Sequence, residues 1–204
     1  MPLVKRPGPP AAPPPAPAGD PFGQLRDADP DTRRTAARAL ATEPGGPPAL
    51  GQALAREQDP RVRDAITTSL MRAGSDEAVL QLLPHLRSDD ASLRTLVIEA
   101  LQGMPAAVSA HLPDLLADAD PDVRLLAAEI ARTAPSEAAT ALLADALAGE
   151  QHPNVAGAMV EVLAEIGTAD AIDALHIAQR RFAAEPFLTF AVEVALERLN
   201  RARP

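Results

Sequence analysis

Asp59-Pro60-Arg61-Val62-Arg63 and Asp120-Pro121-Asp122-Val123-Arg124 are two copies of one figure, and its recurrence decides the fold. Asp29-Pro30-Asp31-Thr32-Arg33 precedes them and Asp90-Ala91-Ser92-Leu93-Arg94 lies between them, so the figure opens at Asp29, Asp59, Asp90 and Asp120. His152-Pro153-Asn154-Val155-Ala156 is a fifth copy, a little later than the spacing requires, and Glu185-Pro186-Phe187-Leu188-Thr189 is a sixth. Such even spacing belongs to stacked supersecondary units.

Each part of the figure has a physical role. An Asp at the N-cap accepts hydrogen bonds from the first free amides of a helix. Proline next to it occupies the position where a missing N–H costs nothing. Apolar residues then follow at helical spacing: Val62, Ile66 and Leu70, then Leu93, Val97 and Leu101, with Val155, Met159 and Leu163 and finally Leu188, Val192 and Leu196 in later copies. That is one buried stripe repeated in register.

A second helix follows each first one after a short break. Gly74-Ser75-Asp76 precedes Val79, Leu82, Leu83 and Leu86; Pro135-Ser136-Glu137 precedes Leu142, Leu143 and Leu147; Gly167-Thr168-Ala169-Asp170 precedes Ile172 and Leu175. In the first unit the break is Pro44-Gly45-Gly46-Pro47-Pro48, so its second helix is expected to be short and to start late. The expected architecture is all-α, a right-handed α-α superhelix of about five helical pairs closed by a terminal helix ending near Asn200. Composition agrees, with 47% apolar residues but only 2% aromatic. Small and aliphatic side chains suit close helix packing, whereas strands favour β-branched and aromatic ones.

The Asp-Pro-x-Val-Arg opening, the Ala-rich first helix and the Gly-x-x-Glu/Asp-Ala entry to the second resemble HEAT repeats. The resemblance covers about residues 22–200. With its short period the chain looks most like the compact HEAT-like repeats named after phycobilisome lyases. The resemblance implies a structural ladder of Asp and Arg along the stack, matched here by Asp29 and Arg33, Asp59 and Arg63, Asp90 and Arg94, and Asp120 and Arg124. Arg94, in mid-array, is then a stability determinant. His152 with Ala156 and Glu185 with Thr189 depart from the pattern, so the C-terminal end is expected to be looser or specialised.

Residues 1–21, MPLVKRPGPPAAPPPAPAGDP, read as a disordered proline-rich tail set apart from a solenoid over 22–204. The tail is a spacer or solubilising arm. The alternatives are a PxxP ligand at Pro10-Ala11-Ala12-Pro13 and a short docking segment at the opening Met1-Pro2-Leu3-Val4-Lys5-Arg6.

The net charge of −9 argues against a nucleic-acid partner, since phosphate contacts need clustered cations. Arg180, Arg181, Arg198, Arg201 and Arg203 read instead as a cationic finish to the last helices, complementing the helix dipole. Without cysteine, thiol catalysis and disulfides are excluded. No apolar run approaches membrane-spanning length, so a cytoplasmic location is expected with no membrane partner.

The four histidines, His85, His111, His152 and His176, stand in no metal-binding spacing. Leu86, Leu112, Pro153 and Ile177 follow them, so the His-Glu pairs of HEAT-like metal oxygenases are missing. His152 falls at an N-cap and His176 at a register position that reads as core. The basic groove and tryptophans of HEAT-like DNA glycosylases are missing too. No enzyme activity, metal or cofactor is expected.

The expected function is a protein–protein interaction scaffold or assembly adaptor. The alternative is a cofactor-handling protein related to bilin lyases, for which only Phe22, Phe182, Phe187 and Phe190 could stack on a chromophore. The last three are expected to seal the final repeat. A solenoid offers a concave face built from its second helices. Aligning Pro84 with Pro113 and Ala144 places His85, Asp114 and Asp145 in one row there, with Gln81 and Asp118 nearby. That row predicts a protein partner with a basic surface.

Overall fold

The computed structural model describes residues 19–201, so all of the expected tail except its last three residues lies outside the described residues, as does Arg203. Asp20 accepts from the amides of Phe22 and Gly23 and starts a short helix α1, Pro21–Gln24. The Asp-Pro figure is thus used once more, at Asp20-Pro21, within a stretch that composition assigns to the tail.

Five helical pairs follow. The first pairs α2, Pro30–Ala39, with α3, Gly46–Leu54. The second pairs α4, Pro60–Ala73, with α5, Asp76–Leu82, which runs on as a 3-10 turn over Leu83–Arg87. In the third, α6, Ala91–Gln102, faces a broken second helix made of α7, Pro105–Val108, and α8, Leu112–Leu116. The fourth joins α9, Pro121–Ala131, to α10, Ser136–Gly149, and the fifth α11, Pro153–Ile166, to α12, Ile172–Arg181. A terminal helix α13, Pro186–Arg201, closes the array.

The caps fall where the figure puts them. Asp29, Asp59, Asp90 and Asp120 each turn a carboxylate oxygen onto the first amides of α2, α4, α6 and α9. His152 occupies the N-cap of α11 without a side-chain bond, and only its carbonyl takes part, accepting from Ala156.

One expectation fails at the first break: α3 starts inside the proline–glycine stretch. Pro47 and Pro48 fall in its first turn, where helical amides lack partners in any case. Gly45 makes the turn at φ 74°, a left-handed conformation that favours glycine. Gly46 passes so close to the Leu40 carbonyl oxygen that an added Cβ would collide with it.

First helices stack in the order α2, α4, α6, α9, α11 and α13, and second helices form a parallel layer of α3, α5, α7 with α8, α10 and α12. Between the layers runs one continuous core, with Ile66, Leu70, Leu101, Ile130, Leu147 and Leu163 fully buried. Ala36, Ala37, Ala127, Ala128, Ala131 and Ala156 of the first helices are exposed by no more than 1%. Close packing leaves no room beside such side chains for added volume.

At the open end α13 carries exposed Glu193 at the register where α11 buries Val160 completely against its neighbour. The end face is therefore polar, as a capping unit requires. Among the described residues no helix is long and apolar enough to cross a membrane.

The alanine contacts generate a first prediction. Ala127→Leu forces three extra carbons into a filled core and should lower stability by about 1–3 kcal/mol. Urea unfolding against Ala119→Leu, at an exposed position, checks it; equal midpoints would mean the first helices can spread freely.

Candidate functional site

Two residues before the N-caps of α2, α4, α6, α9 and α11 stands another polar side chain: Asp27, Glu57, Ser88, Asp118 and Glu150. Each accepts the backbone N–H of its cap residue, at 2.8 Å for Asp29, 2.9 Å for Asp59, 3.2 Å for Asp90, 2.8 Å for Asp120 and 2.7 Å for His152. The arginine four residues beyond the cap folds back on the same turn. It donates to the carbonyl of that same preceding residue, Arg33 to Asp27 at 2.9 Å, Arg63 to Glu57 at 2.8 Å, Arg94 to Ser88 at 2.5 Å and Arg124 to Asp118 at 2.8 Å.

The other guanidinium N–H groups reach forward to the next unit. Arg33 forks onto Glu57, with Nε–Oε2 at 2.7 Å and Nη2–Oε1 at 2.9 Å. Arg124 forks onto Glu150 in the same way, at 2.8 and 3.0 Å. Arg63 pairs with Asp90 at 2.5 Å. Arg94 makes no ion pair among the described residues. In its place Arg87, at the end of the second helix, reaches Asp118 at 2.5 Å with Asp120 at 3.7 Å.

The ladder expected from Asp29, Asp59, Asp90, Asp120 and their arginines therefore has a different composition. Only Arg63–Asp90 joins residues of the expected set across units. The cap carboxylates face their own helix amides, which draws them off the stacking direction. The residue two places earlier supplies the rung instead, and a glutamate there is long enough for a two-point fork. The signal is present in the sequence, two positions upstream of the quoted figure.

Glu57 and Glu150 keep only 7% and 6% of their surface exposed. The Arg33 fork holds the Glu57 carboxyl below the usual glutamate range, against burial and with the amides of Asp59 and Gln58 helping. At Glu150 burial pushes the carboxyl up most strongly, but Arg124 and the amides of His152 and Gln151 together outweigh it and the net displacement is downward.

Where the fifth and sixth copies lose the arginine, other arginines take over part of its work. Arg181 donates to the carbonyls of Leu147, Ala148 and Glu150 at the end of α10. Arg198 donates to those of Leu163 and Gly167 at the end of α11. These cations do complement helix C-termini, but those of neighbouring helices.

The expected binding row divides into groups. Asp118 and Asp145 line one groove of about 490 Å³ between α8 and α10, with Leu116, Leu142, Arg124 and Glu150 in its wall. Asp114 is exposed beside Pro113, which also lines this groove. Among the described residues neither Asp114 nor Asp145 takes part in an ion pair, whereas Asp118 and Glu150 are both engaged, by Arg87 and Arg124.

Gln81 and His85 lie outside this groove. Gln81 packs against the helix α3, its Oε1 filling the space that a Cβ on Gly51 would need. His85 is half-buried, and burial with the nearby Arg63 charge pushes its imidazole below the usual value. It is uncharged at neutral pH and adds no cation to the row.

Two further expectations are corrected. His176 is exposed, because Leu175 takes the core position one residue earlier. Of the phenylalanines expected to seal the last repeat only Phe182 is buried, while Phe187 and Phe190 stand 81% and 64% exposed on α13.

The chain matches the profile of HEAT repeats over residues 20–102 and 109–181. Among solved structures, an engineered protein is 22% identical, with 89% of this chain and 95% of that one covered at a TM-score of 0.44. A designed armadillo repeat protein in complex with the peptide (KR)4 is 18% identical over 88% of this chain and 98% of that one, at 0.45. The CpcE–CpcF complex of phycocyanin lyase from Nostoc sp. is 22% identical over 88% of this chain and 80% of that one, at 0.39. No curated protein matches the chain.

The rungs give two predictions. Arg124→Ala leaves the buried Glu150 carboxylate without its fork and should cost about 1–3 kcal/mol in chemical unfolding. Arg94→Ala, with a single carbonyl acceptor, should cost under about 1.5 kcal/mol. The reverse order would remove the fork from its assigned role.

The second concerns acid. Both glutamates have folded-state pKa values below the unfolded value of about 4.3. Their contribution is therefore complete above that pH and is lost as pH falls through the lower folded values. Stability measured between about pH 5 and 3 should fall less steeply in Glu57→Gln/Glu150→Gln than in the parent chain. Parallel slopes would show that other carboxylates govern the acid limb.

Proposed function

The chain belongs to the HEAT-repeat family, and from that premise we propose that it is a non-catalytic interaction scaffold or assembly adaptor. Its partner is a polypeptide with a basic surface, held on the concave side at the groove between α8 and α10. The observation that carries this reading is the division of labour among the carboxylates there. Asp118 and Glu150 are tied to Arg87 and Arg124, while Asp114 and Asp145 project without a cation of their own among the described residues. An incoming Lys or Arg would meet two unneutralised charges on rigid helices, beside the apolar wall of Leu116 and Leu142. His85, neutral and set one unit away, leaves that field undiminished.

The short period, with successive figures opening at Asp29, Asp59, Asp90 and Asp120, supports the further reading that the repeats are of the compact phycobilisome-lyase type. That reading concerns repeat length and assigns no chromophore chemistry.

Affinity capture from native lysate tests the reading with three baits: the intact chain, Asp114→Arg/Asp145→Arg, and Glu43→Arg/Glu193→Arg as a matched control. The first double reversal should cut recovery of the captured protein at least about tenfold, since like charges across an interface cost several kcal/mol. The control should retain it. Equal recovery with all three baits would place the binding surface elsewhere.

A further inference from the structure

The outward row of the first helices is polar along most of the array and changes character at its last member. Positions 61, 64 and 68 of α4 are Arg, Asp and Thr; positions 92, 95 and 99 of α6 are Ser, Thr and Glu; positions 154, 157 and 161 of α11 are Asn, Gly and Glu. On α13 the same three positions hold Phe187, Phe190 and Val194, exposed by 81%, 64% and 48%. Their i, i+3, i+7 spacing makes one continuous apolar stripe. It does not serve to extend the stack, because the end face of α13, with Glu193 and Glu197, is polar.

The stripe forms one wall of a groove of about 520 Å³ between α11 and α13, whose other wall includes Ala158 and Ala164. Gly157 leaves its floor open, since a Cβ there would meet nothing within 4 Å. Glu129 and Glu161 stand at the rim. Three carboxylates, those of Glu129, Glu161 and Glu165, share the single guanidinium of Arg132, so the rim keeps an excess of negative charge. The occupant that fits is short, apolar and flanked by cations.

Residues 2–6, Pro2-Leu3-Val4-Lys5-Arg6, have that chemistry, and they include the one lysine of the chain. We propose that the groove between α11 and α13 is the docking site of the chain's own N-terminal segment, with Leu3 and Val4 against Phe187 and Phe190 and with Lys5 and Arg6 toward Glu129 and Glu161. Aromatic-lined grooves recognise proline-rich extended chain because little conformational entropy remains to be lost.

The reach agrees. From the start of the array to this groove there are between four and five first-helix steps of about 8–10 Å, or about 40 Å in all. Gly19 lies fourteen residue steps after Lys5, and proline-rich chain extends about 3.1 Å per step, which gives about 43 Å. A tether of this length holds its end at an effective concentration of about millimolar, so a weak contact suffices. The groove between α8 and α10 stays open, and this docking is independent of the partner-binding reading.

The absence of natural cysteine makes the test direct. A spin label on Pro7→Cys in the full chain should broaden the amide signals of Gly157, Phe190 and Val194, and leave that of Asp145 in the other helix layer sharp. Phe187→Ser/Phe190→Ser should abolish the broadening without moving the melting temperature, since both rings are exposed, and Lys5→Glu/Arg6→Glu should weaken it. Sharp signals at all three groove residues would overturn the proposal. So would broadening that neither variant changes. Mixing spin-labelled chain with isotope-labelled chain carrying no spin label identifies the source: broadening that persists in the mixture assigns the occupant to a second copy and overturns docking within one chain.

Discussion

An arginine four residues into the first helix ties together the turn that precedes it and the unit that follows. Arg33, Arg63 and Arg124 each donate backward to the carbonyl of the residue two places before the N-cap and forward to a carboxylate one unit on. The residue whose carbonyl they hold turns its own side chain onto the cap amide. One or two backbone carbonyls and a carboxylate are thus met by one planar group with five donors. A register shift between neighbouring units would break the forward pairs and leave the local bonds of each turn intact. The stack is specified by this edge and stabilised by its core.

That arrangement explains which parts of the architecture can be read from residues alone. The repeat, the caps and the apolar stripes depend on local spacing, so Asp59-Pro60 and its relatives announce helix starts wherever they occur. The rungs depend on which side chain faces across a turn. Asp59 and Glu57 look equally suited to meet an arginine in sequence, but the cap geometry claims Asp59 and leaves Glu57 for the fork. His176 departs from its expected place for a related reason: one residue of drift in a helix that enters through a 3-10 turn exchanges an exposed position for the buried Leu175. The prolines before α3 mislead in the opposite direction, because a residue that breaks helices internally is harmless in the first turn.

The carboxylates divide by the same logic. Those at the turn positions, Glu57, Asp118 and Glu150, are structural and engaged by arginine. Those on the exposed face of the second helices, Asp114 and Asp145, have no such duty. Acidic composition therefore overstates the charge available to a partner, since much of it is neutralised inside the edge. Shared register with Pro84 identifies Asp114 and Asp145 in the sequence, but it groups Asp118 with them because nothing local shows that Arg87 reaches it. The usable field is narrower than the expected row.

The C-terminal end departs from the repeat in two coordinated ways. The ladder arginine becomes Ala156 and then Thr189, and Arg181 and Arg198 instead enter from neighbouring helices to satisfy the exposed carbonyls. In its outer face α13 also departs from the pattern that α4, α6 and α11 share. It keeps Leu188, Val192 and Leu196 for the core and turns Glu193 toward the open end. The remaining face carries Phe187, Phe190 and Val194, an unfavourable exposure that neither packing nor capping requires. The exposed rings and the acidic rim beside them are the two observations on which the proposed docking at this groove rests, the first asking for an apolar occupant and the second for a cationic one.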